Sequence, residues 1–102
     1  MNDFAAVTPP DEMWQLRLYV AGQTPRSLRA ATNVRKICAE MLDGRYQLEV
    51  IDLYQQPQRA QGEQILALPT LIKQSPEPMR IVIGDMSNAE RVMVGLNLRY
   101  PT

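Results

Sequence analysis

Residues 14–53 read as strand, helix, strand, and that order leaves a chain few ways to fold. Trp14, Leu16, Leu18 and Val20 alternate with Gln15, Arg17 and Tyr19, the period-two pattern of a half-buried strand. Ala21-Gly22-Gln23 makes a turn. Thr24 then offers an N-cap, and Pro25 stands at the first helical position, where its missing N–H costs nothing. Leu28, Ala31, Val34, Ile37, Cys38 and Met41 recur at helical spacing and predict a helix to about Leu42. Asp43-Gly44 ends it, with Gly44 suited to a left-handed cap. Tyr46 to Leu53 forms a second strand. Tyr46, Leu48 and Val50 share one face, and Ile51 and Leu53 fill the other, so its end is expected to be covered on both sides. A strand–helix–strand unit crosses over right-handed and makes the two strands parallel neighbours.

The rest completes the sheet. Gln55 to Glu63 is polar, and Pro57 can start a short helix running on towards Leu66. Ala67 to Gln74 is an apolar run entered through Pro69, a position that fits an edge or a strand start. Ser75-Pro76-Glu77-Pro78 is a hairpin-like connection into a strand from Met79 to Ile83. The expected fold is α/β: a mixed four-stranded sheet with flanking helices on both faces, the thioredoxin-like arrangement. Residues 1–13, with Pro9-Pro10 and no periodicity, are expected to be a disordered tail. Residues 14–102 make a single domain.

The last segment points two ways. As a helix, Ala89, Val92, Met93, Leu96 and Tyr100 fall on one face, and Ser87 with Glu90 has capping-box spacing. As a strand, Val92, Val94, Leu96, Leu98 and Tyr100 alternate with Arg91, Met93, Gly95, Asn97 and Arg99. Gly95 inside a helix costs about 1 kcal/mol relative to Ala, and Val92, Val94 and Asn97 are mediocre helix formers. On propensity alone, Gly95→Ala is expected to favour the helix.

Composition removes several function classes. Lys plus Arg equals Asp plus Glu, at 11 each, so no basic surplus draws the chain to nucleic acid or an anionic membrane. Near-neutral charge also lowers the barrier to self-association. One cysteine and no histidine leave neither an internal disulfide nor the usual zinc and nucleophile–base sets. Without a signal peptide or a spanning apolar run, the expected compartment is the cytoplasm. No cofactor is implied.

Thiol chemistry on a thioredoxin-like scaffold needs Cys-x-x-Cys at the start of the first helix, where the helix terminus lowers a thiol pKa. Here that position reads Thr24-Pro25-Arg26-Ser27, and Cys38 lies on the apolar stripe. Leu68-Pro69-Thr70 resembles the cis-proline loop of thioredoxin-like proteins; an ordinary trans proline at a strand entry is the alternative. Asp52, Glu63 and Asp85 are scattered. Arg26, Arg29, Asn33 and Lys36 line the outer side of the first helix, as a solvated face or as a protein-docking surface led by Arg29. A binding module is preferred over an enzyme.

The segments LRLYVAGQTPRSLRA, LEVIDLYQQPQ, ILALPTLIK and RIVIGDMSNAERVMVGLNL, in this order, resemble the KaiB family of bacterial clock proteins from Leu16 to about Leu98. The N-terminal domain of the clock kinase SasA is also similar, but that protein continues into a kinase. A stand-alone member, from outside the cyanobacteria or divergent from theirs, fits this length better. The resemblance implies a non-enzymatic protein that binds the N-terminal ATPase ring of KaiC, a hexameric kinase/ATPase. It also implies a metamorphic chain, with an oligomeric resting form (dimer or tetramer) whose last segment is a strand, and a thioredoxin-like binding form whose last segment is a helix. Pro69, Pro76, Pro78, Gly95 and Asn97 match the refolding region. Arg29, Gln64, Lys73 and Arg80 match positions for KaiC docking. Glu49, Gln64, Glu77 and Asn97 depart from the cyanobacterial pattern, and Glu49, standing where those members carry lysine, puts KaiA binding in doubt. The rival reading is a thioredoxin-like thiol or glutathione-dependent enzyme, disfavoured by the missing dithiol.

Overall fold

β1 (Trp14–Val20), with Trp14, Leu16, Leu18 and Val20 buried on one face and Tyr19 on the other, organises the computed structural model of the chain, which describes residues 12–98. Residues 1–11 of the expected tail over residues 1–13, and the expected role of Tyr100, lie outside the described residues. After β1 come α1 (Pro25–Leu42), β2 (Tyr46–Asp52), a 3-10 turn (Pro57–Ala60), β3 (Thr70–Ser75), β4 (Arg80–Ile83) and α2 (Ala89–Leu96). The sheet order is β2-β1-β3-β4. β1 and β2 are parallel, with Leu18 opposite Val50, while β1–β3 and β3–β4 are antiparallel. The parallel β1–β2 pair and the antiparallel β3–β4 pair follow the expected crossover and hairpin; the antiparallel β1–β3 pairing that joins them comes from the structure.

The two faces are covered unequally. Trp14, Leu16, Leu18 and Val20 of β1 and Leu71 of β3 pack with Val34, Cys38 and Leu42 of α1 and Val92, Met93 and Leu96 of α2. Both α-helices therefore share one face. The opposite face buries Tyr19, Ile51 and Ile72 under Leu53, Ile65 and Leu68. That cover comes from the loop on either side of the 3-10 turn, not from an α-helix. The turn ends at Ala60, short of the expected run to Leu66, because Gly62 follows with a positive φ of 81°.

The phase of α1 differs from the expected stripe at one residue. Leu28 is 51% exposed, whereas Ser27, Ala30 and Leu42 are buried. The Ser27 hydroxyl accepts from the Ala21 amide at 3.0 Å, which turns Ser27 inward and swings Leu28 about 100° around the helix. Thr24 caps the helix as expected, accepting from the Ser27 amide. Asp43 and Gly44 both end it with positive φ. On β2, Ile51 is buried but Val50 remains partly exposed, so the strand's end is covered on one side only. No helix among the described residues is long and apolar enough to cross a membrane.

Candidate functional site

In α2 the structure holds the two-way segment as a helix, and its start is not the capping box. Asn88 is the N-cap, its side chain accepting from the Arg91 amide at 3.0 Å. The Ser87 amide is already taken by Asp85 Oδ1 at 3.0 Å, and Met86 sits at a positive φ of 64°. Asp85 thus uses its short side chain to fold the turn two residues ahead, and the helix begins one residue later than Ser87 would set it. Ala89 is consequently exposed, while Val92, Met93 and Leu96 are buried. At the other end Asn97 is left-handed, its amide donating to the Met93 and Val94 carbonyls, and the Leu98 amide donates to Met93 at 2.8 Å. Both helix ends are closed by asparagines, residues that tolerate these roles well.

Gly95 has a packing reason as well as a conformational cost. A methyl group there would stand 2.6 Å from Cγ2 of Val82 on β4. The glycine lets α2 lie close to the strand. The gain of helix propensity expected from Gly95→Ala is therefore opposed by overpacking, which typically costs about 1–3 kcal/mol.

The start of α1 and the turn before α2 are joined through Asp85. Its backbone carbonyl accepts from Asn33 Nδ2 at 2.9 Å, and its carboxylate lies 3.6 Å from Arg29 Nε. Hydrogen bonds from the Ser87 side chain and amide, with Arg29 and Arg26 nearby, hold the Asp85 carboxyl below its ordinary pKa. The loop after β1 is fixed from β2, where Asp52 Oδ1 accepts from the Gly22 and Tyr54 amides, each at 2.9 Å. Pro69 is buried directly before β3, and its carbonyl accepts from the Gly84 amide at 3.0 Å. The Leu68-Pro69, Ser75-Pro76 and Glu77-Pro78 bonds are all cis. Of the two readings of Leu68-Pro69-Thr70, the structure holds the cis one.

The residues expected to dock a partner are dispersed. Arg29 is exposed on α1 beside the C-terminal end of β4, Arg80 is exposed at the other end of that strand, and Gln64 is exposed in the loop over the opposite face. Lys73 is 2% exposed. Its ammonium donates to the Leu96 carbonyl at 3.2 Å and stands 4.6 Å from the centre of the Trp14 ring, so in this conformation it turns no charge outward. Sequence reasoning missed this pairing and the hub at Asp85. The Asp85-Met86-Ser87 turn had a local signal; the lysine–carbonyl contact, 23 residues apart, had none.

Glu49 is also committed within the chain. It accepts from Arg59 through both oxygens at 3.0 Å, with Arg17 at 3.8 Å. Those bonds lower the Glu49 pKa, the Arg59 hydrogen bond foremost. Arg17 reaches on to Glu63 at 3.6 Å, so the cluster ties the 3-10 loop to the sheet. Cys38 is buried on α1, and desolvation pushes its thiol up to about 12. Among the described residues no three of His, Cys, Asp and Glu gather where they could hold a metal ion.

Comparison with known proteins separates fold from family. The N-terminal domain of Synechococcus elongatus SasA superposes with a TM-score of 0.67 at 22% identity, covering 89% of this chain and 90% of that one. The Drosophila thioredoxin Deadhead gives 0.65 at 11% identity, covering 85% and 84%. At such identities the likeness establishes a thioredoxin-like fold. The KaiB domain family matches residues 17–98. Circadian clock protein KaiB3 of Synechocystis sp. (strain PCC 6803) is 51% identical over 83 residues, 81% of each chain. The circadian clock oscillator protein KaiB of Synechococcus sp. (strain RCC307) is 50% identical over 91 residues, covering 89% of this chain and 83% of that one. These relatives are clock components rather than enzymes, and the chain with its thioredoxin-like fold belongs to the KaiB family of circadian clock proteins.

Proposed function

We propose that this clock component acts by docking, in the thioredoxin-like conformation described above, on the N-terminal ATPase ring of a KaiC-type hexamer, and that it reaches this state from an oligomeric resting fold in which the last segment is a strand. One observation carries the reading. The segment whose sequence alternates as a strand from Val92 to Leu98 is here a helix of eight residues, Ala89–Leu96. A helix weakened by Gly95 and resting on few elements is suited to a balance between two packings a few kcal/mol apart. The exposed cations Arg29 and Arg80 support docking; Lys73 is spent internally and contributes through α2.

The switch provides delay. When the competent state is a minor population, apparent affinity falls by its fraction. Glu49, locked to Arg59 and Arg17, stands where the resemblance places a lysine in cyanobacterial members, and the proposed partner set therefore does not include KaiA. The test is capture of the cognate KaiC hexamer with and without ATP, alongside light scattering and NMR shifts for residues 91–98. Capture, with shifts that move from strand to helix on binding, is expected. Absence of binding under every nucleotide condition overturns docking; helical shifts in a free monomer overturn the resting strand.

A further inference from the structure

Lys73 sits on β3 opposite Leu16 of β1 and Arg80 of β4, on the face that carries both helices. A strand position surrounded by Leu16, Leu71 and Trp14 is one where an apolar side chain would ordinarily be placed. An ammonium there loses its hydration, and the ion pairs among the described residues do not include it. Burial, with Arg80 nearby, depresses its pKa, and Glu12 offsets this only in part. What replaces water is the face of the Trp14 ring and the Leu96 carbonyl.

That carbonyl has a particular position. Leu96 is the last residue of α2, and the Asn97 and Leu98 amides take the Met93 and Val94 carbonyls but not that of Leu96. A cation at the C-terminal end of a helix meets the negative end of its dipole. The arrangement closes only when α2 is helical and seated on the sheet. Once α2 leaves, the carbonyl is gone and water reaches the ammonium.

We propose that Lys73 is the latch of α2: a positioning residue whose bond to the Leu96 carbonyl holds the C-terminal helix on the sheet, so that detachment of α2 and exposure of the Lys73 amine are one event. This goes beyond the docking reading and does not depend on any partner. It also turns Lys73 from a contact residue into one that acts through the helix.

The chain contains two lysines, Lys36, exposed on α1, and Lys73, and each can be followed by mass spectrometry after limited acetylation, with an N-hydroxysuccinimide ester, of the fraction whose residues 91–98 show helical NMR shifts, so that the shifts report on the resting fold and the labelling on the latch. Rates are referred to those of the same lysines in denaturant. Lys73 is expected to react at least about tenfold more slowly than Lys36, and its slowing should match the hydrogen-exchange protection of the α2 amides rather than that of β1 and β3. Reaction at the rate of Lys36, or protection equal to that of the central strands, overturns the latch. In Lys73→Met, α2 protection should fall by about tenfold or more with β1 and β3 within about twofold. Unchanged or increased α2 protection overturns the proposal. The labelling measurement needs only the natural chain, so it decides the matter even if that variant does not fold.

Discussion

Gly95 of α2 lies against Val82 of β4 so closely that a methyl group on the glycine would stand 2.6 Å from Cγ2 of the valine. The closeness reverses what helix propensity alone suggests. Ala at this position gains about 1 kcal/mol of propensity and meets an overpacking cost of about 1–3 kcal/mol. Gly95→Ala should therefore weaken the seating of α2 or leave it unchanged, read as faster amide exchange in residues 89–96. In a Val82→Ala background, where the methyl has room, the same change should become favourable, giving a coupling energy of about 1 kcal/mol or more. Independent effects at the two positions would sink the argument.

The helix start gives a second contrast. Asn88→Ala should destabilise by about 1 kcal/mol, the usual cost of a lost N-cap, because its side chain holds the Arg91 amide. Ser87→Ala should cost less, since the Ser87 amide stays bonded to Asp85 and only the exposed hydroxyl's bond to that carboxylate is lost. Denaturant melts of the two variants decide it; equal losses would restore the capping box.

Cys38 sets an alkaline limit. Its thiol is raised from 9.0 to about 12. Between these values the folded chain keeps a proton that the unfolded chain releases, so the unfolded state binds fewer protons and stability falls as pH rises. The contribution is whole below about pH 9 and gone by about 12, a span of about 4 kcal/mol at most. Lys73, with its lowered pKa, acts with the opposite sign as pH approaches 10.5. Comparing stability against pH in the natural chain and Cys38→Ala isolates the thiol. The variant's alkaline slope should be shallower, and a native thiol titration with a disulfide reagent should be slow. Rapid labelling at neutral pH contradicts both.

Glu49→Lys places a cation beside Arg17 and Arg59. Exposed pairs are worth about 0–1 kcal/mol each, so the loss should be small and should shrink as salt is raised. The 3-10 loop over Tyr19 and Ile72 should show the largest rise in amide exchange. A loss that is independent of salt would mean that the cluster holds the loop by packing rather than charge.

Arg29 remains 58% exposed while paired to Asp85. If it meets an acidic surface on a KaiC-type ring, Arg29→Ala should slow association several-fold at low salt and less at high salt. A change confined to dissociation at every salt concentration would place Arg29 outside the encounter.

The strand–helix–strand unit was legible because its signals are local: alternation from Trp14 to Val20, Thr24-Pro25 at a helix start, Asp43-Gly44 at its end. These depend on neighbours within a turn or a pleat, and short-range sterics fix them. Two neighbour pairs followed from crossover handedness and a short hairpin; the β1–β3 pairing that joins them did not. What the sequence could not settle was every contact between residues distant along the chain. The helical state of Ala89–Leu96, the closeness of Gly95 to Val82 and the burial of Lys73 against Leu96 and Trp14 exist only once β3, β4 and α2 are stacked. A segment with balanced propensities takes its structure from packing, and a lysine is read as a surface charge until the fold withdraws it from water.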